Sequence, residues 1–95
     1  MKLLGLLTLE EFKQDHADSR GALDTWRYDV EKAHWDGPHD IKSRYPSASF
    51  LADNIVIFNI KGNKYRLVIK AKYQYGIVKI EWIGTHAEYD KKRFT

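Results

Sequence analysis

The chain has no cysteine, one methionine and only two prolines among its 95 residues. Without thiols, disulfide staples and thiolate metal sites are excluded, and a cysteine-free composition fits the reducing cytoplasm. No apolar stretch approaches the roughly 20 residues needed to span a bilayer. The opening Met1-Lys2-Leu3-Leu4-Gly5-Leu6-Leu7 has too short an apolar run for an export signal. It carries Gly5 inside it and meets Glu10 and Glu11 without a small-residue cleavage site. It reads instead as a strand from Lys2 to Leu7, buried on both faces. Internal repeats, low-complexity tracts and long linkers are missing too, so residues 1–95 are expected to form a single soluble domain with a real core. His16, His34 and His39 are scattered, without a second ligand at metal-binding spacing. Lys61-Gly62-Asn63-Lys64 lacks the glycine pattern and following helix of a phosphate loop. Neither a metal nor a cofactor is expected.

What the chain does have is charge unevenly spread about a net +3. Residues 1–60 hold 7 Lys/Arg against 10 Asp/Glu, whereas residues 61–95 hold 9 against 3. Such a split points to a polyanion meeting the second part. The plainer alternative is that basic side chains keep strand edges soluble.

Periodicity places the elements. Thr8-Leu9-Glu10-Glu11 has the spacing of a capping box, opening a helix with Leu9, Phe12 and His16 on one side. Asp18-Ser19 reads as a break and a new cap. Leu23, Trp26, Val30 and Ala33 then recur at helical spacing, predicting a second helix from Arg20 to about Lys32, with a later start as the alternative because Gly21 costs about 1 kcal/mol against alanine. Gly37-Pro38 starts a short helix, His39 to Tyr45, with Ile41 and Tyr45 inward, and Pro46 ends it. Ser47 to Asp53 reads as a connector anchored by Phe50 and Leu51.

From Asn54 the period becomes two. Gly62-Asn63 signals a two-residue turn with glycine first, pairing Ile60 with Tyr65, Asn59 with Arg66 and Phe58 with Leu67. Asn63 is explained by that turn, since asparagine tolerates positive φ. A second turn at Tyr75-Gly76 would pair Lys72 with Lys79, Lys70 with Glu81, and Arg66 with Thr85. Alternation then gives one apolar face: Val56, Phe58, Ile60, Tyr65, Leu67, Ile69, Ala71, Tyr73, Val78, Ile80 and Trp82. The other face collects Asn59, Lys61, Lys64, Arg66, Lys70, Lys72, Lys79 and Glu81, with Ile55, Ile57, Val68 and Ile83 as an exposed apolar patch. Trp26, Trp35 and Trp82 are expected in the core. The two long helices must cover the apolar face, giving an α+β fold with an antiparallel sheet and helices on one side. Thr85-His86-Ala87-Glu88 repeats the capping box, so a short C-terminal helix sets His86, Tyr89 and Asp90 on one face.

The run Phe58-Asn59-Ile60-Lys61-Gly62-Asn63-Lys64-Tyr65-Arg66-Leu67-Val68, with Thr85-His86-Ala87-Glu88-Tyr89-Asp90, resembles the HigB-type toxins of bacterial toxin–antitoxin systems. Ile41-Lys42-Ser43-Arg44-Tyr45-Pro46-Ser47-Ala48 and the surrounding helices also fit. The resemblance implies a compact RelE-like domain that cleaves messenger RNA, often on translating ribosomes. It also implies a cognate HigA-type helix-turn-helix antitoxin, with the toxin monomeric alone and hetero-oligomeric with that partner. RelE-like toxins differ in their catalytic side chains, so roles must be argued at the site.

Metal-free RNA cleavage needs a base for the 2′-hydroxyl, an acid for the leaving 5′-oxygen, and cations at the phosphate. Histidine suits proton transfer near neutral pH, which makes His86 the first candidate, with Tyr89 as partner or stacking group and Asp90 to orient the imidazole. Arg66 and Lys61 are the candidates for transition-state charge. Asn59, Asn63, Lys64, Lys70, Lys72, Lys91 and Lys92 are candidate RNA contacts, with Lys91, Lys92 and Arg93 alternatively a solvated basic tail. Two other classes stay open: an RNA- or ribosome-binding module without chemistry, and an interaction protein that docks a partner on the exposed apolar patch.

Overall fold

Turn chemistry and side-chain period meet in the hairpin of β3 (Ile55–Ile60) and β4 (Tyr65–Lys72), in a computed structural model that describes residues 1–92. Asn59 faces Arg66, Phe58 faces Leu67 and Ile60 faces Tyr65, as the turn signal requires. The Lys64 amide donates to the Lys61 carbonyl at 3.2 Å, and Gly62 takes φ +65°. The second left-handed residue is Lys61 (φ +53°) and not Asn63, which corrects the turn-based explanation of Asn63.

β4 pairs next with β5 (Ile77–Thr85), and here the expected register fails twice. Residues Tyr73–Tyr75 form a 3-10 turn closed by Gly76 (φ +66°). That turn takes up residues which a two-residue connection would have left in the strands. Lys70 therefore faces Lys79, and Lys72 faces Ile77. Further along, Ile69 faces Ile80 while Val68 faces Trp82, so Glu81 is an extra residue in the ladder. Such a β-bulge shifts the pairing by one and exchanges the faces of everything beyond it. Arg66 faces Gly84 instead of Thr85. Ile83 packs against the core, and Trp82, expected inside, moves to the opposite face beside Val68.

The sheet order is β1-β5-β4-β3-β2. β1 (Lys2–Leu4) runs parallel to β5, so the sheet is mixed and not wholly antiparallel. Only Leu3 of β1 is buried. The expected strand to Leu7 stops at Gly5, whose φ is +86° and where a Cβ would stand 2.9 Å from the Ile80 carbonyl oxygen. The chain turns there into α1 (Leu6–Asp15). Thr8 donates its amide to the Gly5 carbonyl at 3.2 Å, so it lies within the first turn and is not the cap.

Ser19 does not cap either. Its hydroxyl donates to the His16 carbonyl at 2.6 Å inside a 3-10 turn, Ala17–Ser19, that leads to α2 (Arg20–Lys32). α3 (Pro38–Arg44) starts and ends one residue earlier than expected, and the following connector contains a short edge strand, β2 (Ser49–Phe50). Leu9 and Phe12 of α1 with Leu23, Trp26 and Val30 of α2 pack on Val56, Phe58, Leu67, Ile69, Val78 and Ile80. Trp26 meets Phe58 edge-on at 5.5 Å. Each such side chain contributes about 1.5–3 kcal/mol by leaving water.

The opposite face is not the expected exposed patch. Ile57 and Val68 are buried there, in one row with Trp82. Past β5 the chain enters α4 (His86–Asp90) through a complete capping box: Glu88 donates its amide to Thr85 Oγ1 at 3.1 Å and accepts the Thr85 amide at 2.8 Å. Among the described residues no helix is long and apolar enough to cross a membrane.

Gly5 has both a left-handed backbone and no room for a side chain. Gly5→Ala should therefore lower unfolding stability by about 1–3 kcal/mol, read as a lower urea midpoint at unchanged m-value.

Candidate active site

The outer end of the sheet gathers three of the four sequence-predicted catalytic residues. Arg66 leaves β4 opposite Gly84, one residue before the cap of α4. The His86 amide donates to the Lys64 carbonyl at 3.1 Å, tying the start of α4 to the end of the hairpin. From that position His86 Nδ1 lies 3.3 Å from Arg66 Nη2, and His86 Nε2 lies 3.4 Å from Asp90 Oδ1. The guanidinium also sits 5.9 Å from the centre of the Tyr89 ring. The Thr85 amide, donating to Glu88, holds that carboxyl below its usual range and keeps the cap ionised.

These contacts define the imidazole. A guanidinium only donates, so the ring nitrogen facing it must carry its lone pair. The ring proton then lies on Nε2, 3.4 Å from Asp90 Oδ1. In that tautomer Arg66 covers the unprotonated nitrogen of His86. Arg66 itself is half-buried, and its Nη1 is buried without an acceptor among the described residues.

Trp82 joins this corner although sequence reasoning put it in the core. Its six-membered ring passes directly over Gly84, where a Cβ would stand 2.5 Å from the ring carbons. Tyr89 lies 6.2 Å away at a tilt, and the Lys92 ammonium stands 5.7 Å from the indole. The available signal was Gly84 itself, since glycine inside a strand marks a bulge or a close approach.

Other candidates lie elsewhere. The Lys61 ammonium donates to the Asp18 carbonyl at 3.1 Å, away from the imidazole. Lys64 pairs with the Asp18 carboxylate, which also accepts the Tyr65 hydroxyl at 2.6 Å. Asn59 shares the face of Arg66, but its side chain donates to the Ser47 carbonyl at 3.4 Å. Asn63 is exposed in the turn. Lys70 is not balanced by Glu81: it faces Lys79, and Lys79 stands 4.0 Å from Glu81. Lys72 ends β4, roughly 20 Å along the strand from Arg66, near Asp36 and Asn54. Lys91 is exposed, and Arg93 lies outside the described residues. His16 stacks on Phe12 at 4.1 Å. Among the described residues no three His, Asp or Glu side chains gather as a metal site.

The Lys64 ammonium, then the Tyr65 hydroxyl, lower the Asp18 carboxyl from 3.8 to about 2. A depressed carboxyl stabilises the fold above its unfolded value, and that contribution is lost as pH falls through the folded value. Asp18→Asn should therefore be less stable than wild type at pH 7. The gap should close between about pH 4 and pH 2 in urea melts.

A family model described as HigB_toxin, RelE-like toxic component of a toxin-antitoxin system, matches residues 19–92. A search of curated proteins returned no significant match. The matched span begins just before α2 and takes in the hairpin, β5 and the Arg66–His86 corner, leaving β1 and α1 outside. The chain belongs to this family of RelE-like toxins, and an antitoxin is the partner that membership implies.

Proposed function

We propose that this toxin is a metal-independent endoribonuclease that cleaves messenger RNA at the corner of Arg66, His86, Tyr89 and Asp90. The observation that carries the reading is the imidazole held between a guanidinium and a carboxylate, beside a phenol. Arg66 is the phosphate ligand. When a phosphate takes its donors, the guanidinium leaves Nδ1, and the same motion uncovers the lone pair needed as base. His86 then removes the 2′-hydroxyl proton, and the 2′-oxygen attacks phosphorus. Charge on the pentavalent phosphate is met by Arg66, and Asp90 stabilises the imidazolium. The 5′-oxygen departs with a proton from the Tyr89 hydroxyl on the same helix face. The products are a 2′,3′-cyclic phosphate and a 5′-hydroxyl.

Lys92, beside Trp82, is the nearest further RNA contact. Lys70, Lys72, Lys91, Asn59 and Asn63 would serve longer RNA or ribosomal RNA. Lys61 and Lys64 hold Asp18 in the free chain, which supports a structural role for both. The family match and the basic second part of the chain support the rest of the reading. The protein is a single-domain cytoplasmic toxin, monomeric alone, acting on messenger RNA at translating ribosomes and neutralised by a HigA-type helix-turn-helix antitoxin.

Primer extension on RNA from induced cells tests this. Wild type should cut transcripts, and His86→Ala should cut about 10²–10⁴-fold more slowly with an unchanged circular dichroism spectrum. Growth arrest with uncut transcripts would identify a ribosome- or RNA-binding blocker instead. Full cleavage by both His86→Ala and Arg66→Gln would rule out this corner.

A further inference from the structure

We infer that the cavity between α2, the end of α3 and β3 is a subsite for one unpaired nucleotide, the neighbour of the phosphate held at Arg66. The placement beside Arg66 rests on reading that corner as a site that handles RNA, whereas the binding chemistry of the cavity stands on its own residues.

A cavity of about 380 Å³ lies where β3 runs past its pairing with β2, walled by Asn59 and Lys61, by α2 and by the end of α3. Trp26 is part of its wall, 1% exposed, and the indole Nε1–H is buried without an acceptor among the described residues. Asp29, three residues on, shares that side of the helix and lines the same cavity. Its Oδ2 takes both Arg44 Nη2 and the Tyr45 hydroxyl at 2.6 Å, which leaves Oδ1 to accept another hydrogen bond. A donor beside an acceptor is the complement of a nucleobase edge, where an oxygen or bare ring nitrogen adjoins an N–H. In a duplex that edge is taken by the complementary base, so only an unpaired nucleotide can offer it.

Gly21 is a second, independent sign. Glycine weakens a helix relative to alanine, and this one has neither a left-handed φ nor any atom within 4 Å of where a Cβ would stand. The fold does not require it, yet it lines the cavity, where bare backbone lets a flat ring lie close. Charge fits as well. Arg44 is exposed, and the Lys61 ammonium rests on a backbone carbonyl, which leaves its charge to attract a phosphate. Asn59 pairs with Arg66 on the same face, one strand spacing of about 4.8 Å away. Adjacent nucleotides of one strand can therefore occupy the cavity and the corner.

The Trp26 indole N–H provides the test, read in proton–nitrogen spectra of the full ¹⁵N-labelled chain and assigned with Trp26→Phe. Uridine 5′-monophosphate should move this signal downfield. So should a 2′-O-methyl uridine trinucleotide, which lacks the nucleophile for cleavage. Ribose 5-phosphate, without a base, should leave it in place. The 3-methyl derivative of the mononucleotide, whose donor is blocked, should bind about tenfold more weakly, the order of one hydrogen bond. Gly21→Leu, whose side chain takes the space of the ring, should keep the circular dichroism spectrum and lose the shift. An unmoved signal in wild type, or an unchanged shift in Gly21→Leu, would overturn the site. An equal shift with the tripeptide Gly-Gln-Gly would identify a protein amide as the occupant and overturn it too. A shift with the mononucleotide but not the trinucleotide would overturn the placement beside Arg66. The expected shifts without RNA cleavage by wild type would instead sink the nuclease reading and leave the nucleotide site standing.

Discussion

The pairing of β4 with β5, broken by the one extra residue Glu81, is the constraint on which the site depends. Below the bulge, β5 sends Val78 and Ile80 into the core. Above it the alternation reverses, so Ile83 turns inward and Trp82 outward. The same shift sets Gly84 opposite Arg66, and the absent side chain leaves the room that the Trp82 ring occupies. An unbroken ladder would have buried Trp82 opposite Leu67 and set Ile83 opposite Arg66. One inserted residue therefore decides both the composition of the corner and the direction from which α4 enters it.

Local signals were legible and long-range ones were not. The register of the β3–β4 hairpin follows from Gly62 and the two-residue period, because a wrong register would mix apolar and charged side chains on one face. The capping box at Thr85 and Glu88 is equally local, and it suffices to put His86, Tyr89 and Asp90 on one face. The bulge leaves only the mark of Gly84 within the strand, since Lys79-Ile80-Glu81-Trp82-Ile83 alternates acceptably in either register. Parallel pairing of β1 with β5 joins residues some 75 apart, and only the tertiary fold selects it. The diversion of Lys61 and Lys64 to Asp18 is of the same kind. A basic residue's availability depends on acids far away in sequence.

That diversion also revises the meaning of the charge split. The acidic first part of the chain is not merely solvated, because Asp18 clamps the tip of the hairpin through Lys61, Lys64 and Tyr65. Asp29 likewise holds Arg44 and Tyr45 at the far side of α2. The positive character of the second part is thereby spent partly on fixing the hairpin. At the corner itself the cations that matter are Arg66, set on an imidazole and a phenol ring, and Lys92, set on an indole. Both cations rest near aromatic rings in the free chain, which places positive charge at the corner itself.

The most direct measurement is the tautomer of His86 in the free protein, from long-range proton–nitrogen spectra of ¹⁵N-histidine-labelled chain assigned with His86→Asn. The contact with Arg66 predicts an imidazole protonated on Nε2, with Nδ1 in the hydrogen-bonded, unprotonated range, moving when Arg66 is changed to Gln. A ring protonated on Nδ1, or one indifferent to Arg66→Gln, would contradict the arrangement on which the site is built.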